Sequence, residues 1–207
     1  VLLITDYTFV SMNTAGVADD ASAPNLDSAS RSRVYKLFAA LQPIPRNIHL
    51  TWRDKDVLRR YNDSAFIRNG VQNLIDLNPS WKWSVSDDDD VERDLKQYLS
   101  VDDYDLVARR SIIEKADLWR LLKIYHEGGY YQDFDMKYNL PMTEIIDPDT
   151  RCVLPTYGNV NFRQDHMLCA AGSPFHKRAI ELNLERRREL VAKGRATTEG
   201  DILFLGP

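Results

Sequence analysis

Two aspartates one residue apart, Asp133 and Asp135, close the run ADLWRLLKIYHEGGYYQDFD over residues 116–135. In an extended segment side chains alternate between faces, so this spacing predicts both carboxylates on one side and Phe134 turned into the core. Two hard oxygen ligands suit magnesium, manganese or calcium, and a site with so few protein ligands completes its shell with water and substrate phosphates. The pattern reads as a place to hold a metal-bound phosphate ester. Aspartate disfavours strands, so a pair framing a phenylalanine points to ligation more than to a charged turn. An EF-hand loop fits poorly, because Lys137 falls where such a loop needs a third acidic or amide ligand.

Upstream of the pair, Asp117 and Arg120 stand three residues apart and share one helix face. A guanidinium suits phosphate or sugar oxygens, and a carboxylate suits paired sugar hydroxyls. The plain alternative is a surface ion pair worth a few tenths of a kcal/mol. Asp87 to Asp90 are also acidic, but they follow Ser86 at a helix start, where solvated charge facing the helix dipole accounts for them. Gln164, Asp165 and His166 form a later polar cluster, readable as one wall of a site or as an ordinary loop.

Positioning these groups requires an alternation of strands and helices. Residues 44–52 have the apolar bias of a buried first strand, after a short helix at 34–41 stopped by Pro43 and Pro45. A helix follows over 54–69, with Gly70 just past its end, then an amphipathic segment at 71–77 before Asn78-Pro79. WKWSV at 81–85 alternates like a strand, and a helix runs to about residue 99. The third helix, over 108–127, carries Ile112, Ala116, Trp119 and Leu122 at helical spacing and ends on Gly128-Gly129, which predicts a left-handed cap. Strand-like pieces near 151–154 and 164–170 and a helix over 174–193 complete an α/β pattern.

At 207 residues, 43% apolar and 28% charged, the chain has the make-up of a globular domain. Residues 1–32, poor in large apolar side chains from Ser11 onward, read as a flexible arm or linker, and residues 33–207 as the domain. A net charge of −4 offers no basic stripe for nucleic acid. No stretch approaches the roughly 20 apolar residues that span a bilayer. Cys152 and Cys169 read as two buried thiols. Asn62-Asp63-Ser64 matches a glycosylation sequon, meaningful only in a secreted protein.

The run at 116–135 resembles the DXD region of glycosyltransferase family 32, the group of yeast initiating and sphingolipid mannosyltransferases and animal α-1,4-glycosyltransferases. IPRNIHLTW is similar to that family's opening strand, NPSWKWSVSDDDD to its second, and SPFHKRAI to a segment that follows the site. The resemblance implies a GT-A-type nucleotide-sugar-binding fold, a Rossmann-like mixed sheet flanked by helices. It also implies Mn2+ or Mg2+, a nucleotide-sugar donor (GDP-mannose or a UDP-hexose), a glycan or glycolipid acceptor, and retention of configuration. By position, Asp133 and Asp135 match the metal-binding aspartates, the second being the more usual direct ligand. Asp117 and Arg120 match residues that hold the donor sugar and its phosphate, Tyr131 matches an aromatic beside the donor, and Thr51 and Trp52 sit where the opening strand meets the nucleotide. Gln164, Asp165 and His166 are candidates for the wall that steadies a cation-like sugar, with Asp165 counted among the catalytic groups beside Asp133, Asp135 and Arg120.

Gln132 and Phe134 depart from the small aliphatic residues common at those places in the family. The chain ends at Gly206-Pro207, where the family commonly continues, so C-terminal ligands are expected to be missing. By the same resemblance, a eukaryotic protein would work in the Golgi lumen or at a membrane, and otherwise in the cytoplasm. The rival readings are a metal-dependent phosphohydrolase or nucleotidyltransferase, which would gather further carboxylates or histidines for a second metal, and an inactive carbohydrate-binding form of the same fold.

Overall fold

A computed structural model of the chain describes residues 8–13, 36–37, 40–61, 64–137, 139–157 and 161–194. Asn62 and Asp63 of the sequon lie outside them, as do residues 34, 35, 38 and 39 of the expected first helix. The strands are β1 (Thr8–Asn13), β2 (Asn47–Thr51), β3 (Lys82–Ser86), β4 (Gly129–Gln132), β5 (Thr150–Tyr157), β6 (Asn161–Phe162) and β7 (His166–Cys169). They form one mixed sheet in the order β1-β5-β7-β4-β2-β3, with β6 paired to β5. β2 runs parallel to both β3 and β4, whereas β7 lies antiparallel to β4 and β5. This is the α/β fold that the alternation of elements predicts. One difference lies at the N-terminus: residues 8–13, inside the expected arm, pair antiparallel with β5 at the sheet edge.

The helices are α1 (Val57–Arg60), α2 (Ala65–Ile67), α3 (Asn73–Leu77), α4 (Asp88–Tyr98), α5 (Val101–Asp105), α6 (Ile112–Glu127) and α7 (Pro174–Ala192). They cover both sheet faces. Leu118, Trp119 and Leu122 of α6, with Leu95 of α4 and Ile180 and Leu184 of α7, pack on Tyr131, Leu154 and Met167. On the opposite face Ile67, Val71 and Leu74 join Ile48, Leu50, Tyr130, Val153 and Leu168. Alternation within β2 thus sends Ile48 and Leu50 to one core and leaves His49 on the α6 side, where its Nε2 bonds the Gly128 carbonyl at 2.9 Å.

Several boundaries differ from the sequence reading for identifiable reasons. Helix α6 starts at Ile112 because Ser111 and Glu114 form a reciprocal capping box, leaving residues 108–110 in a turn. Likewise Asp87, not Ser86, caps α4, and its acidic first turn faces the helix dipole as expected. Gly70 does not end a helix; it lies within a π-helical turn, Arg68–Gln72, that carries α2 into α3. Gly128 has φ 64° and ψ −176°, a glycine-only conformation rather than a left-handed helical cap. A Cβ there would meet the Ala171 nitrogen at 2.6 Å, and one on Gly129 would meet the Asn47 carbonyl at 2.5 Å. The helix therefore turns into β4 only where two backbones can touch.

Cys152 and Cys169 are buried as expected but are not free thiols. They are register partners across β5 and β7, and their sulfurs are joined as a disulfide. Beside them His176 is fully buried, its Nδ1 3.1 Å from Ser173 Oγ and its Nε2 without a partner. Burial pushes its imidazole down to about 3. Burial also lowers His49, the Gly128 carbonyl acting against it.

A histidine held neutral in the folded state takes up protons on unfolding. Its stabilisation is complete above its unfolded value near 6.5 and is lost as pH falls below that. Urea unfolding should therefore show stability declining from pH 6.5 to 4.5, with His176 contributing on the order of 2 to 3 kcal/mol. In His176→Gln the decline should be shallower but not abolished, because His49 remains. An unchanged slope in the variant would show that His176 is not the group responsible.

Candidate active site

The carboxylate pair follows β4, whose four residues are all buried. The strand stops at Gln132, and Phe134 and Asp135 lie in a turn, so the two carboxylates are not presented by the expected extended alternation. Phe134 is in the core as predicted, 4% exposed, with its ring centroid 5.0 Å from that of Trp52. Asp133 is half-buried, whereas Asp135 is exposed and has no hydrogen bond or ion pair with a described residue. The two aspartates thus differ in availability.

Arg120 accounts for that difference. Its Nη1 lies 3.2 Å from both oxygens of Asp133 and 3.3 Å from the Gln164 carbonyl, while its Nη2 bonds Asp117 on the same helix. Its guanidinium sits 5.2 Å from the centroid of the Tyr131 ring, and Tyr131 Oη donates to Asp133 Oδ1. Burial raises Tyr131 well above the ordinary phenol range, so it remains a donor. Arg120 is nearly buried and its Nε has no partner. The surface ion pair considered for Asp117 and Arg120 is therefore replaced by an inward-facing cluster that spans helix and turn.

Burial raises the carboxyl of Asp133. Arg120 and the Tyr131 hydroxyl pull it back, while the negative charges of Asp135 and Asp165 push it up further. Asp117 is likewise raised by burial and held back first by Arg120, then by Arg187 from α7. Asp165 behaves oppositely. Despite burial, His166 and Arg163 bring it down to about 2, so its charge is secured. Asp135, exposed and uncommitted, and the half-buried Asp133 are hard-oxygen donors of the kind a divalent cation takes, although no three carboxylates converge within ligand reach of one another among the described residues.

The expected wall is only partly assembled. The Asp165 carbonyl accepts from the Asp133 backbone at 2.7 Å, and the Gln164 carbonyl meets Arg120, so this loop buttresses the turn through its backbone. His166, which bonds Asp165 Oδ1 at 2.9 Å, pairs in register with Gln132 and lines a cavity on the sheet face away from Arg120. Thr51 Oγ1 is engaged with the Ser86 carbonyl at 3.1 Å, and Trp52 reaches the site through Phe134.

The structure also supplies two groups that the sequence reading passed over. Gly70, buried in the π turn, lies against the carboxylate turn, where a Cβ would be 3.0 Å from the Met136 carbonyl and 3.3 Å from that of Phe134. His49 holds the Gly128 carbonyl at the entry to β4. A polar residue inside the apolar strand IHL was the available signal for His49. For Gly70 there was none, because its neighbour lies more than 60 residues away in sequence.

Residues 65–152 match the family model described as "Glycosyltransferase sugar-binding region containing DXD motif". Over 170 residues the chain is 23% identical to inositol phosphoceramide mannosyltransferase 1 of Schizosaccharomyces pombe, covering 82% of this chain and 48% of that protein. The chain thus spans about half the length of this curated relative. Among solved structures it is similar to PaToxG glycosyltransferase, with a TM-score of 0.54 and 16% identity over 86% of this chain and 74% of the other, a likeness of fold. The matched span, residues 65–152, holds Asp117, Arg120, Tyr131 and both turn aspartates, so the stretch that forms the site is the one over which the chain is similar to the DXD-containing sugar-binding region of glycosyltransferases.

Proposed function

We propose that the protein is a metal-dependent, retaining glycosyltransferase that moves a hexose from a nucleotide-diphosphate sugar to a hydroxyl of a glycan or glycolipid. The observation that carries this reading is the partly buried Asp117–Arg120–Asp133 cluster beside an exposed, uncommitted Asp135, all inside the matched region. Asp135 and Asp133 would hold Mn2+ or Mg2+, which when bound supplies Lewis-acid neutralisation of the leaving diphosphate.

The chain's own residues do the remaining work. Arg120, fixed from two sides, presents positive charge where the diphosphate departs, and fixed charge needs no reorganisation during the reaction. Asp117 accepts from donor-sugar hydroxyls. Tyr131 keeps Asp133 oriented through its hydroxyl. Asp165, ionised and close enough to act on Asp133, places negative charge where a cation-like sugar would develop. Trp52, packed on Phe134, offers an aromatic edge for the nucleotide.

Among the described residues, the three side chains that converge by distance are Cys152, Cys169 and His176, and the first two are spent in the disulfide. They are not the carboxylate set beside Asp135 that a two-metal phosphohydrolase would use. The disulfide suits an oxidising compartment and so supports a lumenal or extracellular place of work over the cytoplasm.

Donor hydrolysis without acceptor, run over a panel of GDP- and UDP-sugars with manganese, should identify one nucleotide class. Asp135→Ala should lower that rate roughly 100-fold or more. Arg120→Lys should lose most activity while remaining folded, because one ammonium cannot bridge Asp117, Asp133 and a carbonyl at once. Wild-type turnover in either variant would refute the assigned roles.

Gly70→Ala forces the Met136 carbonyl, and with it the carboxylate turn, to give way. Its metal-dependent activity should fall by more than its loss in thermal stability explains, and equal losses would make Gly70 a packing residue alone.

Cation and nucleotide should also stabilise synergistically. At a nucleotide concentration 100-fold above its Kd, the gain is about 2.7 kcal/mol. Manganese with UDP or GDP, not both equally, should give the larger melting shift, and EDTA should remove it. An equal shift with ATP, or one that survives EDTA, would favour the phosphohydrolase.

A further inference from the structure

Away from the carboxylate turn, three residues from three elements bring metal-capable atoms together. Cys152 on β5 and Cys169 on β7 are register partners, and His176 stands in the first turn of α7. One ligand atom from each lies within 4.8 Å of the other two. All three residues are fully buried. The disulfide accounts for the two sulfurs, but not for the histidine beside them. Its Nδ1 is 3.1 Å from Ser173 Oγ, and its Nε2 has no hydrogen-bond partner. Leaving a buried nitrogen unpaired is unfavourable, so a polar ring in this place calls for a ligand.

The chemistry of the three groups selects that ligand. Two thiolates and an imidazole are soft and borderline donors that suit zinc, unlike the carboxylate oxygens of Asp133 and Asp135. Burial keeps the imidazole neutral, the form that ligates metals. Two thiolates and one Zn2+ sum to zero charge, which a site without water tolerates, whereas the same pair on Cu+ leaves a net negative charge in the core. The disulfide is neutral too, so the site has two closures of equal charge. Side chains that face each other across two strands can part to the roughly 3.8 Å between two sulfurs on a tetrahedral zinc without a change of register. The Ser173 hydroxyl, buried 3.9 Å from Cys152 Sγ, is at hand for the fourth position.

We propose that, once the disulfide is reduced, Cys152, Cys169 and His176 hold a zinc ion. A dithiol reductant supplies two electrons and two protons and becomes a disulfide itself, and zinc then displaces both thiol protons to solvent. The ion ties β5 and β7 to the start of α7, an element the disulfide does not reach. No group assigned to sugar transfer takes part, so this site stands independently of the glycosyltransferase reading.

The test uses the full chain, unfolded in urea and refolded without oxygen in the presence of a phosphine reductant, beside the oxidised chain. Cobalt(II), a spectroscopic stand-in for zinc, should give the reduced chain a thiolate-to-cobalt charge-transfer band and the intense visible bands of a tetrahedral site. Zinc should remove both, and the oxidised chain should show neither. X-ray absorption at the zinc edge of the reduced wild type should show two sulfurs at about 2.3 Å and the outer-shell scattering of one imidazole. His176→Gln, with circular dichroism reporting on its fold, should weaken cobalt binding by at least about tenfold, the scale on which even outer-shell partners act. The absorption measurement keeps the histidine assignment testable should that variant unfold. A reduced chain without the charge-transfer band, a zinc shell lacking either sulfur or imidazole, or undiminished cobalt binding in folded His176→Gln would overturn the proposal.

Discussion

The bridge that Arg120 makes between Asp117 on α6 and Asp133 after β4 is the interaction on which the candidate site depends. An arginine this far from water is costly unless its charge is balanced and its donors are used. Two carboxylates and the Gln164 carbonyl, from three separate segments, balance the charge and engage both Nη groups, leaving only Nε without a partner. Removing one partner of such a group typically costs about 3 to 5 kcal/mol, because the remaining charge is left buried. The bridge also divides labour between the two turn aspartates. Asp133 is committed to the protein's own cation, and Asp135 is left open to a ligand.

The bridge can form only if the turn is held at a fixed height above the sheet, and three close backbone approaches do this. Gly128 and Gly129 let α6 turn into β4 against Ala171 and Asn47 without room for a side chain. His49, on the adjacent parallel strand, holds the Gly128 carbonyl from below. Gly70 lets the π turn rest on the carbonyls of Phe134 and Met136. A π turn between α2 and α3 shifts the helical phase, which helps bring a glycine rather than a larger residue to that contact.

Behind the site, α7 contributes more than packing. Arg187, 1% exposed, reaches Glu114 across the helix pair at 3.6 Å and bonds Asn183 at 2.8 Å. Its charge also acts on Asp117. On α4, Asp94 accepts from the Trp119 indole and Lys123 at 3.0 Å each, so α6 is held by polar ties on both flanks as well as by its apolar face. These ties set the rotation of α6 that aims Asp117 and Arg120 at the turn.

The sequence alone determined the α/β order, the apolar stripe and glycine end of the third helix, the acidic start of the helix at Asp87, the burial of Phe134 and the grouping of Asp117, Arg120, Tyr131 and Asp133. These follow from local rules of period, capping and residue chemistry, except that Tyr131 joined the group through the family resemblance, and the structure brings those four residues together. Tertiary structure alone decided what those rules cannot reach. It ended β4 at Gln132, so a turn rather than a strand presents Asp135. It joined Cys152 to Cys169 because β5 and β7 pair in that register, and it enlisted residues 8–13 as an edge strand. It also turned His166 to the opposite face from Arg120, since β7 side chains alternate and its partner Gln132 faces that way. Contacts between segments far apart in the chain depend on strand register and backbone approach, and neither leaves a periodic trace in the sequence.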